Sequence, residues 1–272
     1  MTVYYFALYF FLYGFLGWCC EVVYAASREK KFVNRGFLNG PICPIYGIGV
    51  GVVVQFLGHF KENILLLYAA SVILVTALEW ATGLVLEKIF HNRWWDYSNM
   101  PLNLNGYVCL LFSLIWGVAC VLIVAFIHPA VHSLLAYLPF ALGLALLLIS
   151  GIGLLADVYV TAAGIFKINR RLESMDKIAA ELRELSNGLG GNLYRGVVEA
   201  LEMKEEAKQK LEISETMTER IRELKKKYND LASVKTYMSA RLMKAFPKMN
   251  SKKHREGWEE LRKRLKSWQN DN

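Results

Sequence analysis

The run Val3-Tyr-Tyr-Phe-Ala-Leu-Tyr-Phe-Phe-Leu-Tyr-Gly-Phe-Leu-Gly-Trp-Cys-Cys-Glu21-Val-Val-Tyr-Ala-Ala26 decides the fold class. Its one charged side chain is Glu21, and about 20 apolar helical residues suffice to cross a hydrocarbon core about 30 Å thick. Four further stretches of the same kind follow at about 42–60, 64–86, 107–128 and 135–162. They predict an all-α, polytopic helical membrane protein with about five transmembrane helices. A cleaved secretory signal is not expected, because the first ten residues carry no Lys or Arg and the apolar run is too long.

Over all 272 residues the apolar fraction is 54%, the mean hydropathy +0.26 and the formal charge +8. These averages hide a division. Through Phe166 seven basic residues balance seven acidic ones, whereas the rest of the chain carries 25 basic and 17 acidic residues. The expected organisation is a transmembrane domain over 1–166 and a polar helical tail over 167–272. Basic loops are retained on the cytoplasmic side. The loop after the first span carries Arg28, Lys30, Lys31 and Arg35, and the loop after the third carries Lys88 and Arg93; the intervening loop has only Lys61. The reading is a multi-pass protein of the cell membrane, N-terminus outside and tail cytoplasmic.

In the tail, Leu172, Met175, Ala179, Leu182 and Leu185 recur at helical steps, and so do Met217, Ile221, Leu224, Tyr228 and Leu231. Between them Ser186-Asn187-Gly188-Leu189-Gly190-Gly191 predicts a helix end and a turn. A helical hairpin or a coiled coil would bury these stripes, the latter offering a homo-oligomer contact. After Pro247, Trp258, Leu261, Leu265 and Trp268 mark an amphipathic segment with Arg262, Lys263, Arg264 and Lys266. It reads either as a solvated helix or as one lying on the anionic inner leaflet. The basic residues are interleaved with acids and no reading motif is present, so no nucleic-acid partner is expected.

Leu38-Asn39-Gly40-Pro41-Ile42-Cys43 and Leu104-Asn105-Gly106-Tyr107-Val108-Cys109 match at an offset of 66, which also pairs Gly17 with Gly83, Glu21 with Glu87 and Gly51 with Gly117. Two readings stand. One is a parallel repeat of two helical hairpins, about 1–60 and 64–128, followed by a fifth span. In the other, L-N-G merely turns the chain into a helix.

Ionisable residues in spanning helices are costly and normally face protein or water. Glu21, Glu79 and Asp157 each lie late in a span that ends on the cytoplasmic side, where they could meet. The loops bring Arg35 and Asn39, and Arg93, Trp95, Asp96 and Asn105, to the same level. An arginine fork is the apt partner for a partly buried carboxylate. These nine residues form either a structural ion-pair belt or a substrate or ion site. Gly47-x-x-x-Gly51 reads as close helix packing, and His59 as an ordinary interfacial residue. The five cysteines read as small buried hydrophobes, with no metal-like spacing. No phosphate loop, zinc-protease or serine-nucleophile motif occurs. Hence no catalytic residues, metal site or cofactor are expected, nor is an enzyme.

The stretches Gly14-Phe15-Leu16-Gly17-Trp18 through Glu21, Phe32-Val33-Asn34-Arg35-Gly36-Phe37-Leu38-Asn39-Gly40-Pro41, Leu78-Glu79-Trp80 and Trp94-Trp95-Asp96-Tyr97-Ser98 resemble the CmpB-type family of putative ABC-transporter permeases. Arg241-Leu242-Met243-Lys244-Ala245-Phe246-Pro247 is similar too. At Tyr107 this chain departs from the Arg more usual in the family. The resemblance implies a permease-like subunit in the lipid bilayer, working with a separate ATPase subunit and with no substrate attached to the label. The competing expectation is a membrane-anchored scaffold or regulator acting through a coiled-coil tail.

Overall fold

The computed structural model describes residues 2–200, 206–233 and 236–270, with side chains over 2–188, 216–233 and 236–264. The described residues are predominantly helical and the strands among them are two-residue pieces, which is the expected all-α class. The helices are α1 (Val3–Glu29), α2 (Pro44–Leu57, prolonged by a 3-10 turn, Gly58–Phe60), α3 (Ile64–Phe90), α4 (Leu110–Leu122), α5 (His128–Ala136), α6 (Phe140–Ala200), α7 (Glu206–Ser233), α8 (Tyr237–Ala245) and α9 (Arg255–Asn270).

Among the described residues four helical stretches are long and apolar enough to cross a membrane: Val3–Glu29, Ile64–Phe90, Leu110–Ala136 and Phe140–Gly188. The span expected at 42–60 is the shorter helix α2 with its 3-10 turn, about 27 Å long at 1.5 and 2.0 Å per residue. The loop expected at 128–134 is helical instead. A π-helical segment, Ile123–Ile127, joins α4 to α5, and the His128 amide bonds back to the Ile123 carbonyl. That wider turn precedes Pro129, which has no amide to offer, so the chain passes the proline without breaking. The turn falls at residues 137–139.

Contacts along α1 and α2 run in opposite order. Tyr46 packs on Gly17, Gly47 on the Phe10 backbone and Gly51 on the Phe6 ring. A Cβ at Gly51 would come within 2.8 Å of that ring, so only glycine permits this approach. Helices α3 and α4 pair likewise, with Gly117 against Val72 and Tyr68. The two close approaches, Gly51 on Phe6 and Gly117 on Val72, lie 66 positions apart at both partners. Helices α2 and α4 also start 66 apart, each preceded by a buried cysteine, Cys43 or Cys109. A buried cluster of Val53, Leu57, Leu67, Cys120 and Val124 joins α2, α3 and α4. All five cysteines are free, and Cys20 is exposed rather than buried.

The chain divides into two compact units: Met1–Ile165 with Met238–Asn250, and Phe166–Tyr237 with Ser251–Asn272. Residues 238–250, read from sequence as part of the tail, thus pack in the first unit. In the second unit Leu172, Met175 and Leu224 are buried, and Arg220 of α7 reaches Glu181 of α6 through two donors at 3.0 and 3.1 Å. The two helices touch at this ion pair. Helix α6, however, does not end at Ser186–Gly191. Glycine there costs about 1 kcal/mol relative to alanine yet is not sterically barred from a helix, and no proline occurs in the stretch. Trp258 and Leu261 are each only 1% exposed, and His254 Nδ1 lies 2.6 Å from Asp176 Oδ2. The apolar face of α9 at these positions is therefore used in protein packing and is not left for a leaflet. The side chains of Leu265 and Trp268 lie outside the described residues.

Candidate functional site

The loops after α1 and α3 lie at one end of the first unit, where Phe37 stacks edge-on against Trp94 at 4.9 Å. Helices α1 and α3 both stop on a residue in the left-handed region, Lys30 (φ 51°) and His91 (φ 56°), whose amides bond back to Ala26 and Glu87. Each loop then returns an arginine to its own helix. Arg35 Nε lies 3.1 Å from Glu21 Oε2, and Arg93 Nε lies 3.1 Å from Glu87 Oε2. The two glutamates are again 66 residues apart. Tyr46 also donates to Glu21 at 2.7 Å.

The nine expected residues therefore separate into groups. Glu21 and Arg35 form one ion pair. Asn39 belongs with Asp157: its amide and its Nδ2 donate to Asp157 Oδ1 at 3.0 and 2.7 Å, and the next amide, Gly40, donates to Oδ2 at 2.6 Å. Thr161 completes this cluster, accepting from Asn39 and donating to Asp157. Asn34 shapes the loop from within, accepting from Trp18 and Gly36 and donating to the Asn39 carbonyl.

In the second loop Arg93 bridges Glu87 and Asp96, and its guanidinium stacks 4.9 Å above the Tyr107 ring. Burial pushes the Asp96 carboxyl up, but hydrogen bonds from Ser98 and the charge of Arg93 outweigh it and hold it below the usual carboxylate range. Trp95 Nε1 donates to the Tyr107 carbonyl at 2.8 Å. Asn105 does not copy Asn39. It is exposed, with φ 56°, and Gly106 follows at φ 71°, forming the tight turn of a small hairpin in which Leu104 pairs with Val108.

Glu79 stands apart. Its polar neighbour is Tyr97, and its Oε2 is buried without a hydrogen-bond partner. Glu87, absent from the expected set, is the true partner of Arg93, and its match with Glu21 at the 66-residue offset was the signal for it.

At the other end of α1 lies a second polar region that the sequence did not disclose. Tyr9 and Tyr13 place their hydroxyls 2.5 and 3.1 Å from Nδ1 of His132 and His128. Tyr9, His128 and His132, with Tyr5, Gln55, His59 and Pro129, line a cavity of about 360 Å³. Among the described residues no group of three His, Cys, Asp or Glu is arranged to hold a metal ion.

Residues 8–162 match the family described as putative ABC-transporter type IV. The chain belongs to this family. No curated protein and no solved structure matches it. With its long apolar helices, family membership makes the chain a membrane protein and a component of a transporter type. The matched region holds every residue of the loop-end cluster described above, and stops short of the segment 238–250 that packs beside it.

Proposed function

We propose that the protein is a permease-like, non-enzymatic subunit of the cell membrane, N-terminus outside and second unit cytoplasmic, whose solute or ion site is centred on Glu79 at the loop end. The observation that carries this reading is the unpartnered Glu79 oxygen. Glu21, Glu87, Asp96 and Asp157 are each held by an arginine or by amides, as a structural belt requires. Glu79 is in a helix long and apolar enough to cross a membrane, where a carboxylate with only the Tyr97 hydroxyl beside it and no charged partner is costly. A proton, or a cationic group on a solute, removes that cost. The cavity beside His128 and His132 supplies polar groups at the other end of α1. With no phosphate loop in the sequence, energy comes from a separate ATPase subunit or an ion gradient.

The test uses full-length protein in its native host. Tagged protein is expected to co-purify an ATPase. Glu79→Gln is expected to abolish rescue of a deletion phenotype while thermal unfolding in detergent stays at the wild-type temperature. Unchanged rescue, or a large loss of stability, assigns Glu79 to the belt and overturns the reading.

The second reading, a membrane-anchored scaffold, is favoured by the separate compact unit with its own buried Trp258 and Leu172. Rescue of the deletion phenotype by residues 166–272 alone would support it.

A further inference from the structure

Helix α8 and the turn after it return to the first unit after more than seventy residues spent in the second. Leu242 and Ala245 are wholly buried there, and the Phe246 ring lies 5.1 Å from Trp94, which also bears on Phe37. Met238 fills the space over Gly164. In the middle of this apolar contact sits a charge. Arg241 is 8% exposed and donates from Nη1 to the carbonyls of Gly36 and Leu38 at 3.0 and 2.9 Å, and from Nη2 to that of Phe37 at 2.8 Å.

Those three carbonyls immediately precede the two amides that Asp157 holds. Residues 36–40 are thus gripped from both sides, their carbonyls by a guanidinium and their amides by a carboxylate. A buried charge is tolerated only when fully compensated, and here the peptide dipoles compensate both charges at once. The cation and the anion are bridged through five residues of backbone. Neither partner can leave without weakening the other's hold on the loop.

We propose that Arg241 is a positioning residue for the loop end of the first unit, and that the segment 238–250 makes the order of loop 36–40 depend on the state of the second unit. The chain itself supplies the linkage: the segment continues into the second unit at Tyr237 on one side and at Ser251 on the other. Any rearrangement of the second unit that shortens either connection draws on Arg241. Its withdrawal releases the carbonyls of Gly36, Phe37 and Leu38, and then the Asn39 and Gly40 amides from Asp157. The inference rests on the permease reading only in taking this end as the solute site.

Hydrogen exchange on the full-length protein in detergent tests it. Arg241→Ala is expected to speed exchange of peptides covering 36–41 by about 10-fold or more, with peptides covering 95–107 unchanged. Arg241→Lys, which cannot fork across three carbonyls, is expected to fall between. His254→Ala, which removes a hydrogen bond to Asp176 inside the second unit, is expected to speed exchange at 36–41 as well. A purely local structural role would leave that last readout at the wild-type rate. Unchanged exchange at 36–41 in Arg241→Ala or in His254→Ala overturns the proposal, as does a uniform rise across the first unit. Glu79→Gln is expected to leave 36–41 unaltered, so failure of the solute-site reading and failure of this coupling are separately visible.

Discussion

The hairpins α1/α2 and α3/α4 use one construction with two outcomes. In both, a glycine of the second helix lies flat against the first, a buried cysteine precedes the second helix, and a late glutamate takes an arginine from the following loop. Yet Asn39 and Gly40 turn inward to Asp157, whereas Asn105 is exposed and the buried Gly106 beside it faces Arg93, Asp96 and Ser98 of its own loop. The difference comes from outside the hairpins. Helix α6 supplies a single Asp157, and helix α8 a single Arg241, and both act on the first loop. Two hairpins with corresponding contacts thus differ in one loop because of elements outside both of them.

The contrast is broken most severely at Asp157. Asp157→Ala removes a charged acceptor from two backbone amides and two side chains, and is expected to lower unfolding stability by about 3 kcal/mol, whereas Asn105→Gly stays within about 0.5 kcal/mol. Chemical or thermal unfolding in detergent measures both, and equal losses would mean that the two loops do the same work. Next come the shared glycines. Gly51→Leu and Gly117→Leu are each expected to destabilise by about 1–3 kcal/mol, against no loss, and a gain of up to about 1 kcal/mol, for Gly49→Ala, whose added methyl meets nothing within 4 Å. A tolerant Gly117 would limit the likeness to sequence. The smallest effect separates the ion pairs by burial. The Arg93 and Glu87 side chains are 11% and 14% exposed, those of Arg35 and Glu21 both 27%. Double-mutant cycles should give a coupling of about 1–2 kcal/mol for the former and below about 1 kcal/mol for the latter.

What the sequence disclosed follows a physical rule. Apolar run length placed the helices, because burial in lipid demands an uninterrupted stretch. The loop cluster was legible because charges and amides in apolar surroundings are conspicuous. Pairing within it was less so: Arg93 was expected to serve the site, but a glutamate six residues back on its own helix captures it. The glycines at 188–191 read as a break because propensity is local, while the helix continues on flanking residues that favour it. The motif that begins at Arg241 was visible, but its partners, like those in the His128–His132 cavity, had no signal, since they lie more than a hundred residues away. Periodicity carries no record of such pairing.

The placement of residues 238–250 also imposes an order on biosynthesis. At about 5–20 residues per second, roughly 4–15 s of translation separate the emergence of Ile165 from that of Met238. Through that interval the apolar helices are already available to the bilayer while the carbonyls of Gly36, Phe37 and Leu38 still lack their guanidinium. Insertion therefore precedes closure, and the nascent protein holds its loop end open until residues 238–250 are made.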